Sequence, residues 1–426
     1  MRRQNKKIDL QGLKKQLDSD SSSPPKWESY SCTLVTPMYG GGVQAGEIDK
    51  DMPIRASAIR GQLRFWWRIA CGPKDPKELF EKETEIWGGI GDGAKASQVE
   101  IRVTANHPIN QTSSEEIVTK KDKQGRGITY ILGAGDPAKC LDSGFKFKIS
   151  IRYHLRSNSS NPLSIDSLKV NVAQALNWWA TFGGVGAKTR RGFGAVEVDG
   201  LCPIPITDFD DEMSSKGCKF ALAEVEATTD AQYAWKVATL RLQQFRHGKE
   251  LGRNTGKTIT TKHGKKIVLP GRSRWPEPDQ LRRFTGDCKL NHDPEHPAGN
   301  AFPRAAFGMP IIFDFNDDTN TEPKTMTLLP VDYKRMASPL IIRPYKSGGQ
   351  WKAAALLLPN WKEALVEPLE LRLSSNNEKV TYQVNHWPDE DQQVERDRLT
   401  NDIKPMKGRA NDPLSAFLEY FKEGHS

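Results

Sequence analysis

Arg60, Arg64 and Arg68 follow one another at intervals of four in the stretch SAIRGQLRFWWRIACG, Ser57 to Gly72, and two tryptophans, Trp66 and Trp67, stand among them. Guanidiniums grip phosphate bidentately and an aromatic ring beside them can stack a base, so the pattern suits a single-stranded nucleic acid. On a helical wheel Ile59, Leu63, Trp66 and Ala70 fall within roughly 60° of one another, an apolar face that assigns Trp66 to a core. The three arginines fill an adjacent arc of about 80°, with Trp67 at the border between arginines and core. The plain alternative is a solvated or salt-bridged helix face with a half-buried Trp.

A second cationic stretch, GGVGAKTRRGFGAVEV, sets Lys188, Arg190 and Arg191 among Gly183, Gly184, Gly186, Gly192 and Gly194. Glycines let a backbone approach phosphates and offer amide nests, while the cations supply charge. A Walker A loop is excluded because Ala187 stands where that motif requires glycine. The tail RGFGAVEV matches the RRM sheet signature except that Ala195 and Val198 replace aromatics. That predicts a ferredoxin-like sheet without ordinary RRM base stacking.

Other signals fail on chemistry. ILGAGDPA, read as following a strand, fits a dinucleotide fingerprint, yet Gly144 cuts off any following helix and no acidic residue stands at the ribose distance. Cys288, His292 and His296 are spaced as metal ligands, but Pro294 and Pro297 forbid a regular helix and a fourth ligand is missing. No histidine joins a triad, and the acidic turn DFDDE lacks the spacing to hold two metals. No catalytic residue, metal or cofactor is indicated.

The elements that must position these residues read as α+β. The chain of 426 residues needs at least two cores, and 62 Lys and Arg against 53 Asp and Glu, with pI near 9.1, favour a polyanionic partner. Six cysteines without a C-x-x-C pair imply reduced thiols. No apolar run reaches membrane length and the N-terminus lacks a signal-peptide centre, so a cytoplasmic protein without membrane contact is expected. Residues 1–25 read as a mobile tail. A first domain over 26–215 carries strands at Tyr30 to Thr36, Val99 to Val103 and Phe145 to Tyr153, a capped helix from Asp75, a polar loop at Ser113 to Gly127 and a helix over Ser164 to Phe182. That last helix buries Trp179 and leaves Trp178 to structure or an interface. A second domain over 216–426 echoes this order, with a helix around Tyr233 to Phe245, a basic and mobile insertion around 246–300 and a terminal helix near Pro413 to Phe421.

Four stretches carry a family resemblance: TPMYGGG with PIRASAIRGQLRFWWRIACG, the glycine loop, GRSRWPEPDQLRR, and FPRAAFGMPIIFDF with RMASPLIIRP. The chain resembles the RAMP superfamily, and within it the first-named Cmr subunits of type III-B CRISPR effector complexes. The resemblance implies two fused ferredoxin-like domains with insertions. It also implies a non-catalytic role in antiviral defence, holding guide RNA, target RNA or both beside other Cmr subunits. The family's helix matches Arg55, Arg60, Gly61, Arg64, Trp66 and Arg68, and its loop matches Gly183, Gly184, Gly186, Arg190, Arg191, Gly192 and Gly194. The RNA-contacting set expected is therefore Arg55, Arg60, Arg64, Trp67, Arg68, Gly184, Gly186, Lys188, Arg190 and Arg191. Arg304 and Arg335 join it at lower rank, since they, like Arg343, could bind RNA or pair with acidic neighbours. Two rivals stand beside this reading: a metal-independent RAMP endoribonuclease processing CRISPR precursor RNA with His247 or His263 as base, and a subunit that contacts protein only.

Overall fold

The computed structural model describes residues 26–90, 94–105, 108–117, 125–133, 138–155, 163–205, 215–260, 264, 266–269, 271–290, 292–297, 300–315, 321–373 and 381–424. The tail 1–25, the DFDDE turn and His263 lie outside them.

Alternation builds the first sheet. In β3 (Lys146–Tyr153), Phe147, Ile149, Ile151 and Tyr153 are buried while Lys146 and Lys148 face water. It pairs antiparallel with β1 (Glu28–Leu34) on one side and β2 (Val99–Ala105) on the other, and β4 (Val196–Val198) closes the far edge of β1. The order β2-β3-β1-β4, with α1 (Ala56–Ala70) after β1 and α3 (Ile165–Phe182) after β3, is the ferredoxin-like arrangement. Both helices lie on one face. Between α1 and β2 comes α2 (Pro76–Trp87), started by Pro76 in the first turn and by Asp75, whose carboxylate accepts from the Glu78 amide. The stretch leading into ILGAGDPA is helical, Gly125–Leu132, and not the strand its apolar run suggests. Ile128 and Ile131 on that helix pack into the second domain's core.

The second domain repeats the pattern with three strands. β5 (Lys219–Leu222) precedes α4 (Ala231–His247); β8 (Leu340–Ser347) and β9 (Gln350–Leu357) form a hairpin; α6 (Pro413–Glu423) follows. Their order is β8-β9-β5. Leu340, Ile342, Ala353, Ala355 and Leu357 pack on α4 and α6, while Ile341, Tyr345, Ala354 and Leu356 join the first domain's core. Burial on both faces explains why these strands read as nearly continuous apolar runs.

Two excursions from this frame make a third unit. β6 (Ile311–Phe313), β7 (Met326–Pro330), β10 (Leu369–Leu373) and β11 (Thr381–Val384) form an antiparallel sheet with a core of its own, which includes Leu281 of α5 (Glu277–Thr285), Phe302 and Leu371. The basic insertion expected to be mobile supplies instead the hairpin Lys257–Thr260 with Lys266–Leu269 and the buried Trp275. Among the described residues no helix is long and apolar enough to cross a membrane.

Candidate nucleic-acid interface

The arginine stripe turns toward α2. Arg64 Nε donates to Glu83 Oε1 at 2.6 Å, and Arg68 donates through Nε and Nη2 to both Glu83 oxygens at 2.6 and 2.7 Å. Burial alone would raise the Glu83 carboxyl, but hydrogen bonds from Arg68 and Arg64 outweigh it and hold its pKa below the ordinary value. Arg60 Nη2 caps the Val99 carbonyl at 3.2 Å. The stripe is therefore a clamp between elements, with Arg68 still 45 % exposed at its outer end. Trp67 corrects the wheel: it is 1 % exposed, donating Nε1 to Asn171 Oδ1 at 2.8 Å. Helix α3 covers the border position as well as the central one, so Trp67 has no ring face free to stack a base. Trp66 and Trp178 are both core, their rings 6.2 Å apart.

The cations of the glycine loop are directed inward. Lys188, at φ 57°, donates to the Ile131 and Leu132 carbonyls at 3.1 Å. Arg190 donates to the Ser338 carbonyl, and Arg191 to the Phe307 carbonyl at 2.8 Å. From the opposite side Arg343, fully desolvated, donates Nη1 to the Gly183 carbonyl at 2.6 Å. Arg343 thus takes neither of the partners the sequence suggested; it binds backbone. Gly192, at φ +80°, lies where a Cβ would come within 2.5 Å of Trp235 Cδ1 and 2.9 Å of the Ile342 carbonyl. Glycine is needed there for close packing of the two domains. Gly184 is likewise buried, a Cβ on it falling 2.8 Å from the Gly194 carbonyl. Only Gly186 and Ala187 at the loop's tip are exposed. With Arg55, whose Nη2 bonds the Gly41 carbonyl at 3.0 Å, Gly186 lines a groove of about 550 Å³ beside the start of α1.

At the junction of the domains lies a cluster that the sequence did not single out. Arg191, Arg246, Arg253 and Arg304 interact electrostatically around His247 and Tyr130, and among the described residues Glu277 is the carboxylate that Arg304 pairs with and Arg246 feels. Arg304 is sealed, 5 % exposed, with Nε on Glu277 Oε2 at 3.0 Å, so of the two roles the sequence allowed it takes the acidic pairing and does not meet solvent. Arg191, Arg246 and Arg253 are half-buried. The buried Arg246 Nε and Arg304 Nη2 have no hydrogen-bond partner. Desolvation, then Arg304, Arg246 and Arg253, push the His247 imidazole down to about 2. Its Nδ1 faces the Arg253 guanidinium at 3.3 Å. Arg246 and Arg253 sit in a stretch whose dense charge was legible, but its ordered packing was not. Arg335 is exposed.

The three spaced metal-type residues do not converge. His292 Nδ1 meets Glu322 Oε1 at 2.6 Å, Cys288 faces Asp293, and the His296 ring is buried. Among the described residues no three His, Cys, Asp or Glu side chains gather as a metal site.

Residues 31–197, which carry the first sheet, helix α1 and the glycine loop, match the model of the RAMP superfamily. The chain resembles Cmr1 from Pyrococcus furiosus in its apo form, at 17 % identity over 78 % of this chain and 88 % of that one, with a TM-score of 0.35. It is also similar to a chain of the type III-B Cmr-beta complex bound to cognate target RNA, at 11 % identity over 79 % of this chain and 94 % of that one, with a TM-score of 0.40. No curated protein sequence matches it.

Proposed function

We propose that this chain is a non-catalytic RNA-binding subunit of a type III-B CRISPR Cmr ribonucleoprotein, a component of cytoplasmic antiviral defence. It holds guide RNA, target RNA or both by their phosphates at the junction of its two ferredoxin-like domains. The observation that carries the reading is the charge imbalance there: the guanidiniums of Arg191, Arg246, Arg253 and Arg304 interact with one another in a chain, and among the described residues the carboxylate set against them is Glu277, paired with Arg304 and near Arg246. An uncompensated buried charge costs several kcal/mol, and a phosphate reaching these half-buried guanidiniums supplies the missing negative charge and acceptors. Gripping backbone leaves sequence recognition to guide pairing.

The chemistry of His247 argues against its serving as the base of a nuclease. With its pKa near 2 it is neutral at pH 7 but too weakly basic to accept a hydroxyl proton efficiently. Incubating the full chain with CRISPR repeat RNA, with Mg²⁺, Mn²⁺ or EDTA, tests the non-catalytic role. The expected result is intact RNA in every condition. Specific cleavage abolished by His247→Ala would replace this reading with the endoribonuclease.

A further inference from the structure

The alternation that buries Phe147, Ile149 and Ile151 sends Lys146, Lys148, Ser150 and Arg152 of β3 to the face of the first sheet that carries no helix. Register fixes their neighbours. Lys148 stands between Ser31 of β1 and Thr104 of β2, and Ser150 between Ser29 and Arg102. Arg152 lies opposite Glu100 and hydrogen-bonds it at 2.9 Å. Arg102, Lys146 and Lys148 are exposed on the same face, with hydroxyls in the positions between them. At the end of the face the half-buried Trp27 ring lies 4.6 Å from the guanidinium carbons of both Arg102 and Arg152.

Like charges crowded on one face of a sheet repel, and Glu100 with Arg152 offsets only part of that repulsion here. An antiparallel sheet facing water needs polar residues, but it gains nothing from Arg102, Lys146 and Lys148 set together without carboxylates between them. Cations interleaved with hydroxyls donate to phosphodiester oxygens, and the two lysines, two residues apart on one strand, stand roughly 7 Å from each other. The Trp27 ring at the end of the row holds the guanidiniums of Arg102 and Arg152 in place by cation–π contact.

We infer that this open face of the first sheet is a second contact surface for the backbone of single-stranded RNA, separate from the domain junction. The inference rests on the RNA-binding reading above, and the two fail separately. Binding of a labelled unstructured RNA is titrated with salt for the full-length wild type, for Lys146→Ser with Lys148→Ser, and for Arg253→Ala. Two lost phosphate contacts lower the dependence of log K on log salt by about 1.4. The lysine pair variant is expected to show that fall with an unchanged melting temperature, since both side chains are exposed. A second variant, Ser31→Glu, places a carboxylate beside Lys148 and is expected to weaken RNA binding without touching the core.

An unchanged slope and affinity in both face variants would overturn the inference, including the case in which the face serves an acidic protein instead. If Arg253→Ala alone left the slope unchanged, the junction site would fail and the sheet face would stand. If the wild type bound no RNA, both would fall.

Discussion

Arg343 Nη1 lies 2.6 Å from the carbonyl oxygen of Gly183, joining the middle of β8 to the first residue after α3. Its Nε also holds the Pro344 carbonyl at 3.0 Å, so one desolvated guanidinium serves acceptors in both domains. Replacing it by Met keeps the volume but leaves those carbonyls without donors, a loss of about 1–3 kcal/mol for each buried group stranded. Arg343→Met is expected to lower unfolding stability on that scale, and Arg343→Lys is expected not to restore it, because an ammonium cannot span the same acceptors. Urea unfolding of the two variants checks this; full stability in the Lys variant would show that the bidentate geometry is dispensable.

Glu83 provides a pH-dependent clamp on α1. Its pKa is lower in the folded state than in the unfolded one, so its contribution is complete above the unfolded value near 4.5 and is lost as pH falls through the folded value. Glu83→Gln is expected to cost about 1–2 kcal/mol at neutral pH, less than a fully buried pair because Arg64 and Arg68 are partly solvated. Below pH 4.5 the gap between variant and wild type is expected to narrow. Thermal unfolding from pH 7 to pH 3 reads both effects, and a gap constant with pH would remove Glu83 from the account.

Trp66 and Trp67 are both about 1 % exposed, which revises the unequal roles that wheel geometry gave them. Each Trp→Ala variant is expected to lose about 3–5 kcal/mol, the scale for a large buried aromatic. A much smaller loss at Trp67, measured by the same unfolding assay, would put that ring back at the surface.

The apolar periodicity of α1 and α3, the alternation of β3 and the capped start of α2 were legible because local rules and tertiary structure agree there. The first sheet, which positions the glycine loop, followed from them. The destinations of the cations were not legible, because they depend on which element lies opposite. Glu83 sits on the helix joined to α1 by a short turn, and that antiparallel neighbour was the available signal for the Arg64 and Arg68 clamp. The arginines of the glycine loop read as phosphate ligands because the sequence shows their charge but not the carbonyls of Phe307, Ser338 and Leu340 that come from the second domain. Arg246 and Arg253 were assigned to a mobile insertion on composition; the buried Trp275, which bonds the Arg246 carbonyl at 3.0 Å, is what orders them.

The domain junction is the centre of the functional account, and the salt dependence of RNA binding tests it most directly. Arg246→Ala with Arg253→Ala, in the full-length chain and with unfolding followed in parallel, removes two guanidiniums that lie near Arg304. The expected result is a folded variant whose dependence of log K on log salt is shallower by up to about 1.4, with affinity falling alike for unrelated RNA sequences. An unchanged slope in a folded variant, or a loss confined to one sequence, would contradict it.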